Sequence, residues 1–259
     1  MQMHMRPIAK HIHVLLCLAL AAGGCATLRS LELHSQQEYF IELEPVLPDG
    51  ETYYIDPIDS SVVWSEQGVQ VKVKFYDDAM LDAEYDVRFT PYTLTGVEIP
   101  GLDYTPPLWT VFEVTVINRT RERVELDPTQ TILRLDDGRR LLCGQGAGNW
   151  YDKDEFYDYS YLKWGGQEGN VRYHANLDRG PIWNKSAYHR EKPVRKGSRY
   201  VGKLTFPPLP AETKSFTLEV NDFILAFDRF QVGYGNPVEF TDLKFHFNVD
   251  HGVRWVENK

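Results

Sequence analysis

From Val62 onward the chain alternates apolar and polar residues with a period of two. Val69, Val71, Val73 and Phe75 are separated by Gln70, Lys72 and Lys74, the pattern of a strand with one buried and one wet face. Trp109 to Ile117 repeats it as Trp-Thr-Val-Phe-Glu-Val-Thr-Val-Ile and is the clearest core strand. Val124 to Leu126, Thr131 to Leu135 and Leu141 to Cys143 follow closely, and Asp136-Asp137-Gly138-Arg139 carries the Asp-Gly signal of a tight hairpin. Connections this short predict antiparallel neighbours. In the last third, Tyr200 to Phe206, Ser215 to Val220, Ile224 to Val232 and Val238 to Val249 all read as strands. Leu243, Phe245 and Phe247 alternate there with Lys244, His246 and Asn248.

The pattern gives roughly nine strands with no long helical period between them, which predicts a mainly β fold. An antiparallel β-sandwich fits better than a parallel α/β sheet. Residues 77–107 hold many acids with Pro91, Pro100, Pro106 and Pro107, so a long loop with short strands is expected there. Residues 26–60 read as a tether and entry segment, broken by Pro45, Pro48 and Gly50.

Two segments carry a further resemblance. Phe112-Glu113-Val114-Thr115-Val116-Ile117-Asn118 is a strand ending in Asn and followed by Val124-x-Leu126. Later, Lys196 to Phe206 contains Gly202-x-Leu204-x-Phe206. Both resemble an immunoglobulin-like family found in bacterial lipoproteins and other exported proteins. The resemblance spans about residues 62–250 and implies an immunoglobulin-like β-sandwich interrupted by a large insertion. Its motifs are core positions and carry no chemistry.

Residues 144–195 break the strand rhythm and form that insertion. They contain Trp150, Tyr151, Phe156, Tyr157, Tyr159, Tyr161, Trp164, Tyr173, Trp183 and Tyr188, too many aromatics for a disordered segment. Tyr157, Tyr161 and Trp164 fall on one stripe of a short helix over about 152–163, with Asp152, Asp154 and Glu155 in its first turn. Trp150, Tyr157, Tyr161, Trp164 and Trp183 therefore form a candidate ligand or partner surface, on which a glycan or peptide would stack. The other reading is that the stripe seals one end of the sandwich.

The N-terminus adds a location. Arg6 and Lys10 precede the apolar run Val14 to Ala22, which is followed by Gly23, Gly24 and Cys25. A membrane-spanning helix needs roughly 20 residues, so this shorter run suits an export signal. Ala22-Gly23-Gly24-Cys25 resembles the lipobox of bacterial lipoproteins, although the family usually has Leu where Ala22 stands. That resemblance implies cleavage before Cys25, acylation of its thiol and membrane attachment through the lipid. Ala26 and Thr27 follow, not the Asp associated with inner-membrane retention. The outer membrane, facing the periplasm of a Gram-negative cell, is thus implied. The expected organisation is a signal peptide over 1–24 and a tether and entry segment over 25–60. The sandwich would occupy 61–250, with the insertion at 144–195 and a tail at 251–259.

The chain's formal charge is −9, and the leader removes two cations and no acid. A body this acidic, with no basic stripe, points away from nucleic acid. Cys17 leaves with the leader and Cys25 would be a thioether, so Cys143 is the one thiol left, in the apolar stretch Leu141-Leu142-Cys143. It is expected to be a buried core residue.

Catalytic and cofactor motifs are weak. Gly144-Gln145-Gly146-Ala147-Gly148 follows a strand but lacks the helix and second strand of a dinucleotide site. His34, His174, His189, His246 and His251 show no zinc-ligand spacing. Ser160, Ser186 and Ser198 lack a nucleophile elbow. No catalytic residue, metal or cofactor is assigned. Protein interaction in envelope assembly or maintenance is the first expectation. Glycan or small-ligand binding through the insertion is the second, and an envelope hydrolase with paired carboxylates the third.

Overall fold

Strand follows strand along most of the chain, as the alternation requires. The computed structural model describes residues 35–50, 52–97, 99, 101–144, 180–190, 192–228 and 235–257. Among them lie β1 (Ser35–Val46), β2 (Tyr53–Ile55), β3 (Val62–Glu66), β4 (Val69–Tyr76), α1 (Asp78–Glu84), β5 (Thr110–Asn118) and β6 (Arg123–Val124). A 3-10 turn (Pro128–Gln130) leads to β7 (Thr131–Leu135) and β8 (Arg140–Leu142). Then come α2 (Gly180–Ser186), β9 (Val194–Arg195), β10 (Ser198–Phe206), β11 (Ser215–Phe227) and β12 (Pro237–Glu257).

One sheet has the order β1-β12-β11-β7-β8, a second β10-β5-β4-β3-β2, and β6 pairs with β9 alone. The pairings within the second sheet are all antiparallel, as are β12–β11–β7–β8 and β6–β9. Rings from both sheets share one core. Phe112 of β5 lies 6.0 Å from Phe216 of β11 and 5.7 Å from Phe247 of β12, and Trp64 of β3 meets Phe223 edge-on at 6.1 Å. The chain divides into two compact units, Tyr39–Gly252 and one formed by its remaining ends. The sheet core belongs to the first. In the second, the described residues 35–38 and 253–257 are extended strand.

Several elements depart from the sequence expectation. β1 and β2 fall within the expected entry segment and β9 within the expected insertion, and the described residues hold twelve strands. β2 and β9 are too short to carry a period of their own. Among its described residues the 77–107 segment has a helix and no strand; Asp77 starts that helix by accepting a hydrogen bond from the Met80 amide at 2.7 Å and capping α1. The strands expected on either side of Asn221-Asp222 are one, β11. Asp222 adopts φ 53° at a bulge, and its amide donates to Asp242 Oδ1 at 3.0 Å, so the polar pair bends the strand without ending it.

Both resemblance motifs acquire physical reasons. Asn118 is fully buried. Its Nδ2 donates to the Arg121 and Val194 carbonyls at 2.8 Å each, and its Oδ1 accepts from the Arg121 amide at 2.9 Å. Only an amide side chain can close the turn and bond across it at once. Gly202 faces the backbone of Tyr188, where a Cβ would sit 2.5 Å from the Tyr188 Cα.

Candidate functional site

Of the aromatic residues proposed from the sequence as a binding surface, Trp183 alone lies among the described residues. Trp150, Tyr157, Tyr161 and Trp164 fall outside them, as do the helix expected over 152–163 and Cys25, the residue expected to carry lipid. Trp183 is 6% exposed, which corrects its place on a ligand platform. It sits in α2, stacks on Tyr92 at 5.3 Å and 19°, and tilts against Trp109 at 6.1 Å. It packs the foot of the insertion onto the second sheet, with Leu81 and Val111 in the same apolar cluster.

Beside that cluster lies a buried polar group. Lys203 of β10 is 2% exposed. Its Nζ donates to both Glu84 oxygens at 3.0 and 2.8 Å and to Glu113 Oε2 at 3.4 Å. The rings of Tyr76 and Tyr85 lie 4.5 and 5.3 Å from the ammonium and add a cation–π contribution. Tyr76 donates to Glu113 at 3.3 Å, and burial, with the Glu113 charge, pushes its phenol up to about 12. Burial raises Tyr85 further still, helped by its hydrogen bond with Glu84.

Ser186 has nucleophilic chemistry, but its hydroxyl is committed. It donates to the Ile182 carbonyl at 2.7 Å and bonds Tyr92 Oη at 2.6 Å. Burial holds the Tyr92 phenol far above its ordinary value, so it cannot serve as a base. The arrangement can clamp α1, α2 and β10 together; it presents no activated nucleophile. Cys143 is buried in the main core, as expected from its sequence neighbours. Among the described residues no group of three His, Cys, Asp or Glu could hold a metal ion.

Two outward features escape sequence reading. The first is the β2–β3 loop. Ile58 at its apex is 92% exposed, yet the loop is closely tied. The Ile58 amide donates to Asp56 Oδ1 at 3.0 Å, the Ser61 hydroxyl donates to Asp59 at 2.6 Å, and Lys72 bonds Asp56 and Asp59 at 2.6 and 3.1 Å. The Lys72 hydrogen bond holds the Asp56 carboxyl below its usual range. A lone apolar residue gives no periodic signal, so nothing marks it before the loop is seen.

The second is a meeting of two basic turns. Asn118 ties residues 118–121 to Val194, and β6 pairs with β9 so that Arg123 stands directly opposite Arg195. Arg119, Lys192, Arg195, Lys196 and Arg199 are exposed around this junction. The sequence contains both runs, Arg119 to Arg123 and Lys192 to Arg199, but their convergence depends on a two-residue pairing over a separation too long to read. The absence of a linear basic stripe therefore hid a spatial one.

No family model, curated protein or solved structure matches the chain. The fold and these surfaces define a mainly β protein of antiparallel sheets.

Proposed function

We propose that this chain is a lipid-anchored protein of the bacterial envelope. Acyl chains on Cys25 attach it to the outer membrane, and an immunoglobulin-like sandwich faces the periplasm. Its role is non-catalytic: it presents a pre-ordered surface to another envelope protein during assembly or maintenance. The observation that carries this reading is Ile58. Single exposed apolar residues are common, but this one crowns a loop whose polar side chains are spent on fixing its shape. Holding a loop in its bound form before contact lowers the ordering cost of binding. The lipobox resemblance, the buried Lys203 and the internally bonded Ser186 hydroxyl support the same view. The burial of Trp183 weakens the glycan alternative at that residue.

Two measurements test it. Acyl labelling and membrane fractionation should show a labelled, membrane-bound protein that loses both properties as Cys25→Ser; an equally labelled variant rejects the anchor. A photoreactive residue in place of Ile58 should give one discrete adduct in cells. The same diffuse products as a photoreactive residue at exposed Arg88 would reject the docking surface.

A further inference from the structure

The two edges of the second sheet are finished differently. On β10 the edge is covered: the Tyr188 amide donates to the Lys203 carbonyl at 2.9 Å and the Gly144 amide to the Thr205 carbonyl at 2.8 Å. β2 is the opposite edge. There the Ser65 amide donates to the Thr52 carbonyl at 2.8 Å and the Asp56 amide to the Ser61 carbonyl at 2.9 Å, with Tyr54 opposite Val63 between them. Bonded pairs recur at every second residue of an antiparallel ladder. The main-chain N–H and C=O groups of Tyr53 and Ile55 therefore point away from β3, and no described residue pairs with them.

An open edge is normally blunted by lysine, proline, a bulge or an inward charge. Thr52-Tyr53-Tyr54-Ile55 contains no lysine, proline or acid, and its register with β3 is unbroken. Tyr54 and Ile55 are 39% and 41% exposed, and Ile58 stands out three residues further on. The edge is also held ready. Tyr53 Oη accepts from the Lys244 amide at 3.1 Å while its ring meets Phe245 edge-on at 5.6 Å, and Tyr54 Oη accepts from Gln70 Nε2 at 3.2 Å. A strand fixed by its own side chains loses little further freedom on pairing.

Charge selects the occupant. Residues 46–60 contain Asp49, Glu51, Asp56 and Asp59 and no base, and Lys72 answers Asp56 and Asp59 with a single charge. Two copies of this edge would bring those acids together, which disfavours self-pairing. We infer that β2 receives an extended basic segment of the envelope partner, which adds a strand to the second sheet and lays apolar side chains against Ile55 and Ile58. The inference rests on the docking reading of the Ile58 loop and names what docks there. Strand addition draws affinity from main-chain hydrogen bonds and selectivity from alternate side chains. Lysine or arginine at alternate positions answers the acids, and the exposed Tyr54 ring offers a guanidinium a cation–π face.

The test uses the full chain in nonionic detergent micelles and two blocked octapeptides, one alternating valine with arginine and one alternating valine with glutamate. Hydrogen exchange read residue by residue should show the Tyr53 and Ile55 amides slowed by the basic peptide and the Tyr54 amide unchanged. The basic peptide should bind about five-fold or more tighter than the acidic one at low salt. Ile55→Pro removes an outward donor and leaves the β2–β3 pairs, as proline at an edge does. It should bind the basic peptide about five-fold more weakly than Ile55→Ala, the worth of one hydrogen bond. The exchange measurement needs no variant and decides the matter alone should Ile55→Pro unfold. Unslowed Tyr53 and Ile55 amides, or equal binding of the two peptides, overturn the inference. Protection that grows with protein concentration in the absence of peptide assigns the edge to a second copy and overturns it too. A discrete adduct at position 58 without slowed edge amides removes strand addition and keeps the docking reading, whereas slowed amides with diffuse adducts reject the docking loop alone.

Discussion

The α-carbon of Tyr188 sits where it would leave only 2.5 Å to a Cβ on Gly202, and the Ala187 carbonyl would lie at 2.9 Å. The Tyr188 amide donates to the Lys203 carbonyl at 2.9 Å, so the segment after α2 lies along the outer edge of β10. Gly202 needs no left-handed backbone here; it serves close approach. Gly202→Ala must push residues 187–188 off the sheet or strain β10. A loss of about 2–3 kcal/mol is expected, measured as a lower denaturant midpoint with unchanged slope. An unaltered midpoint would show that the insertion's foot is loosely held.

Asn118→Ala is expected to cost about 2–3 kcal/mol, since it strands the buried Val194 carbonyl and the Arg121 amide together. Asn118→Asp keeps the acceptor for Arg121 and loses both donors, so it should be no better. Urea unfolding of the three proteins would check the order. A variant as stable as the parent would separate the β6–β9 junction from the core.

How much of this was legible can be argued from the same residues. The period of two marks β4, the Phe112–Asn118 run of β5, and β12 because each buries one face there, and the period is the direct consequence of burial. Asp222 misleads because a bulge and a turn use the same residue types. Gly202 and Asn118 stand out in the sequence as motif positions, but their reasons lie in Tyr188 and Val194, which no local pattern connects to them. Trp183 shows the limit from the other side. An aromatic run predicts that rings will pack, and says nothing about whether they pack inward or face a ligand. Lys203 alternates as a polar residue in β10 and yet is buried, because the outer face of that strand is covered by α1 and α2.

Lys203→Met should therefore be more damaging than an ordinary surface lysine change. It leaves Glu84 and Glu113 near one another without their cation, with side chains 39% and 25% exposed. Removing one partner of a buried pair costs about 3–5 kcal/mol. Partial hydration of the two carboxylates brings the expected loss to the lower end, about 3 kcal/mol. Glu113→Gln, which keeps the Glu84 pair, should cost about 1 kcal/mol. Thermal unfolding of both variants tests the ranking, and a reversed order would mean that Glu113, not Glu84, is the main partner.

Glu219 supplies a pH dependence whose sign is fixed. On β11 it accepts from Arg134 Nε and Nη2 at 2.8 Å each, with its own side chain 8% exposed. The Arg134 hydrogen bonds hold its pKa below the ordinary value against the opposing effect of burial, with Lys244 and Arg140 assisting. A carboxyl with a depressed folded-state pKa binds protons more readily when unfolded. Its contribution is complete above the unfolded value of about 4.3 and is lost as pH falls through the lower folded value. Arg134 is half exposed, so solvent screening limits the pair to about 1 kcal/mol. Glu219→Gln should be less stable than the parent by that amount at neutral pH, and the gap should close in acid. Unfolding measured across the acid range decides it. A gap that stays constant with pH would mean that packing of the side chain, not its charge, is what Arg134 stabilises.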